Sequence, residues 1–271
     1  QNDIRALADK LSKYLSPVIY RSIFEGKQDA SIATQRKKLT IFFSDIVDFT
    51  ETSERLDPED LAALLNEYLL AMTEIVIEYG GTLDKYIGDA ILVFFGDPDS
   101  LGEEEDAYRC VAMAMAMQQR MRDLRKRWKA AGRQRPFHVR MGITSGYCNV
   151  GNFGSDAQMS YTIIGRQVNL ASRLESESPP DQILISNSTW ALVKSRVSCA
   201  RKEPVVVKGF AEPIEAYQVI GESEEQSDGA LIEFSSPALS LRLDTANLQG
   251  KERETVVREL QHALSRIAPP D

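Results

Sequence analysis

The chain has 271 residues, 43% of them apolar, and a formal net charge of −8. That is enough for one large domain or two modest ones, with a core that needs neither disulfides nor metals as staples. The acidic balance argues against a nucleic-acid or anionic-membrane surface, since both need a basic footprint.

Three cysteines, Cys110, Cys148 and Cys199, lie too far apart for a disulfide framework or a metal knuckle, which favours a reducing cytoplasm. No apolar run approaches the roughly 20 residues of a spanning helix, and no signal peptide is read. The chain opens on Gln1 without a Met, so a piece of a longer protein is expected.

Ile4, Leu7, Leu11, Leu15 and Val18 recur at helical spacing, and Ser16-Pro17 fits a cap followed by a first-turn proline. Residues 3–25 therefore read as a helix that restarts and stops at Gly26. The polar segment Lys27 to Lys38 reads as a connector leading into an apolar strand, "LTIFFSDI". Asp57-Pro58-Glu59-Asp60 opens a helix whose apolar face runs from Leu61 to Tyr79, and Gly80-Gly81 stops it. "TLDKYIGDAILVFF" reads as two short strands around Gly88-Asp89. A second long helix covers 103–131, its methionines read as core filling rather than as a pliable groove.

From Phe137 strands return. "FHVRMGITSGYCNVGNFG" reads as one hairpin-like stretch, and "YTIIG" as a short strand. A short helix is expected from Gln167 to Ser176, a strand at "QILIS", a helix from Asn187 to Lys194, and closing strands to residue 221. Hairpins interleaved with helices imply an α+β fold with an antiparallel sheet, a ferredoxin-like βαββαβ core with helices on one face. Residues 221–230 are acidic and small, a linker by composition. Beyond them Leu239, Leu241 and Leu243 alternate like a strand, and Val256 to Ile267 follow a helical period; this arm is too short to be a domain.

Asp45 breaks the first strand where burial should continue, and Asp89 sits at the tip of the Gly88 turn. In an antiparallel sheet the two can lie side by side, repelling unless a cation intervenes. All-oxygen ligands favour Mg²⁺ or Mn²⁺ shared with substrate phosphates; two turn-capping aspartates are the plainer alternative. Asp48, Asp84, Asp97 and Asp99 read as surface or turn residues. "IVDFTETS" leaves the strand through small and hydroxyl residues whose backbone N–H groups, at Phe49 and Thr50, suit a phosphate.

"FSDIVDFT", "LLNEY", "GGTLDKYIGDAILVFFG", "VRMGITSG", "YTIIGRQVNLASRLE" and "VKGF", in that order, resemble the class III nucleotidyl cyclase catalytic domain over about residues 37–221. Each motif alone is weak; the collinear set is specific. "LSKYLSPVIYRSIFEG" resembles the segment that precedes this domain in bacterial cyclases with upstream sensors. The likeness implies a connector over 1–36, the catalytic domain over 37–221, and a linker and arm over 222–271. It also implies an upstream regulatory or membrane domain, with the chain at the cytoplasmic face.

The resemblance further implies an adenylate cyclase, a phosphorus-oxygen lyase using ATP and two Mg²⁺ or Mn²⁺ ions per site in a head-to-tail homodimer. Asp45 and Asp89 match its metal aspartates, and Ile46 the residue whose carbonyl joins them. Lys85 matches the residue that selects the base, donating to adenine N1, and Thr162 the second base contact, where many members carry Asp. Asn169 matches the ribose-orienting asparagine, Arg173 the transition-state arginine, and Arg140 and Lys208 the triphosphate-binding cations. One chain would supply Asp45, Asp89 and Arg140, and the other Lys85, Thr162, Asn169, Arg173 and Lys208. Read singly, Lys85 is a solvated hairpin lysine, and Arg140 and Lys208 are strand-edge charges. His138 has no matching position and reads as a strand-edge histidine. The alternatives are a GTP cyclase, a diguanylate cyclase, whose glycine-glycine-acid signature "YIGDA" lacks, and a silent pairing module, which would have lost an aspartate or the arginine.

Overall fold

The structure, a computed structural model, describes residues 16–26, 31–133, 137–155, 157–206, 210, 212–223, 231–236, 239–244 and 255–256. The chain forms two compact units, residues 1–221 and 222–271.

The first unit opens with α1 (Pro17–Phe24), with Ser16 at the N-cap position but making no side-chain capping bond, and proline in the first turn. The expected helical residues before Ser16 lie outside the described residues. β1 (Thr34–Ile46), α2 (Phe49–Arg55), α3 (Pro58–Tyr79), β2 (Thr82–Ile87), β3 (Ala90–Phe95), α4 (Glu103–Ala130) and β4 (Val139–Ser155) follow. Then come β5 (Gln158–Ile164), α5 (Arg166–Glu177), β6 (Ile183–Ser186), α6 (Asn187–Val193), β7 (Val197–Arg201) and β8 (Ala216–Glu222). The sheet order is β2-β3-β1-β4-β6-β8-β7, with β5 folded back on β4. β1 pairs antiparallel with both β3 and β4, and β2 with β3, which is the βαββαβ arrangement. β4 and β6 run parallel.

α3 starts where proline and two acids favour a helix N-terminus and ends on Gly80, whose φ of 75° is the left-handed region glycine enters without strain. Its buried stripe, Leu64, Tyr68, Met72, Ile75 and Val76, packs with Met113, Met117, Met121, Leu124 and Trp128 of α4 over Phe42, Ile46, Ile91, Val93, Met141 and Ile143. Each such side chain contributes about 1.5–3 kcal/mol by leaving water, so the α4 methionines are core. The opposite face carries Leu39, Ile41, Leu92, Phe94, Cys148, Val150, Ile163 and Ala171. β1 is thus covered on both sides, which is why "LTIFF" does not alternate.

Three expectations need correction. Helices do not keep to one face: α3 and α4 share one, and α5 packs on the other, where Ala171 joins the second cluster. Glycine permits this. A Cβ on Gly142 of β4 would lie 2.2 Å from Glu175 N and 2.3 Å from Ala171 O of α5. Second, the 137–154 stretch is not a hairpin but one 17-residue strand. Its glycines mark close approaches rather than turns: Gly146 faces Gln167 and Gly151 faces the Ala33 carbonyl. Third, the polar connector ends earlier than read, because β1 begins at Thr34 and its polar start pairs with β4 as far as Gly151.

Gly142→Ala is expected to destabilise by about 3 kcal/mol, the upper end of overpacking costs, since both clashes are with backbone. That corresponds to roughly 6–12 °C in melting midpoint for a domain of this size. Calorimetry checks it; an unchanged midpoint would mean α5 retreats freely.

In the second unit β9 (Leu231–Ser236) pairs antiparallel with β10 (Leu239–Asp244). The expected strand is β10; its partner, where Ile232-Glu233-Phe234-Ser235 also alternates, is not among the strands expected from the sequence. The helical period expected from Val256 to Ile267 falls almost wholly outside the described residues. All three cysteines are free. No helix among the described residues is long and apolar enough to cross a membrane.

Candidate active site

The first pole forms where β1, the β2–β3 turn and β4 meet. Asp45 and Arg140 are cross-strand partners, and Arg140 Nη2 approaches Asp45 Oδ2 at 3.5 Å. Gly88 turns the chain with φ 66° and presents Asp89, whose Oδ2 accepts from Ile46 N at 3.1 Å. Burial, and then a hydrogen bond and charge from Asp45, push the Asp89 carboxyl up to about 7. The Asp89 carboxyl therefore keeps its proton to near neutrality.

Glu175 of α5, its side chain 4% exposed, sits 3.1 Å from Arg140 Nε. The pair is misaligned for a hydrogen bond. Burial pushes Glu175 up to about 7, against the pull of Arg140 in the other direction. Arg140, matched from sequence to a triphosphate cation, thus stands between two carboxylates. Sequence reasoning missed Glu175; its only signal was an acid on the apolar side of α5, beside Leu174.

This pole suits a hard divalent cation. The donors are carboxylate oxygens, with the Ile46 carbonyl on the same strand end, and a cation between them would relieve the charge that raises Asp89. Among the described residues no group of three or more His, Cys, Asp or Glu side chains makes a closed metal cage. Two aspartates fit an ion whose remaining positions go to substrate oxygens and water.

The second pole joins β2 to β5. Pairing of β2 with β3 shifts register between Leu83, opposite Val93, and Lys85, opposite Leu92. Asp84 is the extra residue of a β-bulge, and bulges re-aim side chains. Leu83 packs into the helix-covered core, whereas Lys85 is paired with Leu92, which belongs to the opposite face. Asp84 follows Lys85: its Oδ1 lies 3.2 Å from Lys85 Nζ, and its side chain is 1% exposed. Asp84 Oδ2 accepts from Thr162 Oγ1 at 2.7 Å and from Ile163 N at 3.2 Å. Lys85 and Thr162, distant in sequence, are thereby brought to one carboxylate.

Reading Asp84 as a surface or turn residue is therefore wrong, because the bulge turns it inward. Asp97 is also buried, 1% exposed, where it binds Lys37 and Tyr161, with Gln35 Nε2 at 3.4 Å. Asp48 and Asp99 are exposed as expected.

Asn169 and Arg173 are exposed on α5, one turn apart, while Leu170, Ala171 and Leu174 anchor the helix. Phe49 departs from the phosphate-cradle reading in its side chain, which turns into the core and meets the Phe137 ring edge-on at 6.1 Å. Its N–H and that of Thr50 still open α2, though a single short helix makes only a modest cradle. Lys208 lies outside the described residues. His138 shares a hydrogen bond with Asp181 at 2.5 Å, and its carbonyl accepts from Val47 N, one residue beyond Ile46.

The family model described as the adenylate and guanylate cyclase catalytic domain matches residues 32–221. Adenylate cyclase 1 of Rhizobium meliloti strain 1021 is 30% identical over 211 residues, 77% of this chain but only 31% of that protein's length. The crystal structure of the adenylyl cyclase CyaB from P. aeruginosa is similar with a TM-score of 0.69 and 52% identity, covering 72% of this chain and 99% of that one. The guanylyl cyclase Cya2 is similar with a TM-score of 0.67 and 37% identity, covering 71% of this chain and 96% of that one.

Proposed function

Because the chain belongs to the adenylate and guanylate cyclase catalytic domain family, we propose that it converts ATP to 3′,5′-cyclic AMP and pyrophosphate, at two sites shared within a homodimer. The observation that carries this reading is the convergence of Asp45 and Asp89 at one strand end, with Asp89 Oδ2 accepting from Ile46 N at 3.1 Å and Arg140 3.5 Å from Asp45.

The ribose 3′-hydroxyl attacks the α-phosphorus; an O3′–P bond forms, the bond to pyrophosphate breaks, and the hydroxyl proton leaves to solvent. Asp45, Asp89 and the Ile46 carbonyl would hold Mg²⁺ or Mn²⁺, which supplies acidification of the hydroxyl and neutralisation of the triphosphate. Asn169 orients the ribose. Arg173, free to swing on the exposed face of α5, meets charge as it develops on the α-phosphoryl group. Arg140 and Lys208 take the β- and γ-phosphates, and Glu175 holds Arg140 in place until substrate arrives.

Lys85 donates only, so it suits adenine N1, an acceptor, and opposes guanine N1–H. This favours ATP over GTP, although Cya2 is a guanylyl cyclase.

Sharing between chains follows from reach. Lys85 and Asp89 flank one turn, yet must meet opposite ends of ATP. The flanks of the second pole carry exposed Tyr86, Ile87 and Ile164, apolar surface that a second chain would cover.

The test is turnover of ATP and of GTP with Mn²⁺ or Mg²⁺, with products identified by chromatography and mass. Cyclic AMP and pyrophosphate are expected, with ATP preferred. Cyclic GMP as the main product overturns the base assignment, and no cyclic product from either nucleotide overturns the enzyme reading.

A further inference from the structure

We infer that Asp84 is a positioning residue that fixes the hydrogen-bond polarity of Thr162 and so makes the pocket specific for a purine bearing a 6-amino group. The inference rests on the proposed base pocket and adds to it a residue that never touches the nucleotide.

A threonine hydroxyl has one proton and two lone pairs. Left alone, it rotates to suit its partner, donating to a carbonyl or accepting from an amine. A hydroxyl at the second base contact would then accommodate guanine O6 as readily as the adenine 6-amino group. Here the hydroxyl is not alone. Asp84 Oδ2 lies 2.7 Å from Thr162 Oγ1 and 3.2 Å from Ile163 N. The Lys85 ammonium lies 3.2 Å from the other oxygen. A carboxylate only accepts, so the Thr162 proton points at Asp84 and the lone pairs face outward. Thr162 retains 7% of its surface.

With Lys85 as an obligate donor and Thr162 as an obligate acceptor, the pair reads an acceptor beside an amine. That is the N1/6-amino edge of adenine. Guanine offers N1–H against Lys85 and O6 against the Thr162 lone pairs, so both contacts are mismatched. The backbone supports the assignment. The bulge that places Asp84 on the same side as Lys85 disrupts pairing in a six-residue strand, and the buried carboxylate would be costly without the partners it holds.

The test compares ATP with the triphosphate of 6-methoxypurine riboside, which keeps N1 an acceptor but puts an accepting oxygen where the 6-amino group was, so that only a Thr162 free to donate can satisfy it. The ratio of the two kcat/KM values on one preparation cancels any unfolded fraction. Wild type is expected to prefer ATP about tenfold, the scale of one hydrogen bond. Asp84→Asn keeps an amide oxygen able to accept from Thr162 and should retain most of that preference. Asp84→Ala and Thr162→Val should reduce it to about twofold or less, with the loss in KM rather than kcat. Should Asp84→Ala melt too low to assay, Asp84→Ser takes its place; its hydroxyl can receive the Ile163 N–H but leaves Thr162 free to donate or accept.

An unchanged preference in Asp84→Ala or Asp84→Ser overturns the inference, as does a loss in Asp84→Asn as complete as in Asp84→Ala. Wild type turning over both nucleotides equally overturns it while the cyclase reading stands. If wild type forms no cyclic product, the cyclase reading fails, and the same preference is read from the melting shifts given by the two triphosphates.

Discussion

Asp89→Asn is expected to abolish cyclic nucleotide formation and, in the same preparation, to raise the melting midpoint of the metal-free protein at pH 8. The first effect follows from removing one of two carboxylates poised for a cation; losses of about 10²–10³-fold or more are the scale for one charge-stabilising contact. The second follows from linkage. The Asp89 carboxyl is pushed up to about 7 by burial and by Asp45, while in the unfolded chain it titrates near the ordinary value of about 4. Between those two values the native state holds a proton the unfolded state has released, so stability falls as pH rises. Above pH 7 the penalty is fully present. The site is only half-buried, so solvent screening reduces it to about 1–2 kcal/mol, or roughly 2–8 °C. Asparagine removes the penalty, so the gain should be present at pH 8 and absent at pH 4. Mn²⁺ should raise the midpoint of the wild type and leave Asp89→Asn unmoved. A folded Asp89→Asn protein with wild-type turnover would sink the metal assignment.

Mixing two dead proteins should give a live one. Asp45→Ala and Arg173→Ala each lose turnover alone, because each homodimer carries its lesion in both sites. In a mixed dimer one site collects both lesions and the other collects none, by the two-fold symmetry of the pair. Random pairing makes half the dimers mixed, with one intact site of two, so the mixture should recover about a quarter of wild-type activity. Exchange of chains is confirmed first by co-purification with a tagged partner. If mixed dimers form and activity stays at the level of either variant alone, the sites are not shared, and the span from Lys85 to Asp89 must be bridged within one chain.

How much of this was legible in the sequence depended on whether the signal was local. Periodicity located α3 and α4, proline and glycine marked their ends, and the Gly88 turn put Asp89 at a strand end beside Asp45. Those signals sit in neighbouring residues. What a local reading lacked was the identity of the strand across the gap. The stretch holding Gly142 read as hairpin-like because nothing nearby announced that α5 would lie against it. Asp84 and Asp97 looked like surface aspartates because their partners, Thr162, Ile163, Tyr161 and Lys37, arrive from β5 and β1. Glu175 was passed over for the same reason: its partner Arg140 stands on another element. The motif likeness supplied the nucleotide-facing residues, Lys85, Thr162, Asn169 and Arg173, but not Asp84, the acid that holds two of them in position.

The bulge at Asp84 sets folding and recognition against each other. Leu83 pairs with Val93 and Lys85 with Leu92, so a chain lacking residue 84 would bring Leu83 and Lys85 into unbroken alternation with every other partner unchanged. Such a deletion restores a regular ladder and removes a buried carboxylate. The deletion also strips Thr162 Oγ1 and Ile163 N of the acceptor they share, so a sheet regularised at residue 84 would trade two hydrogen bonds to β5 for an unbroken ladder and leave the base pocket indifferent to its nucleotide.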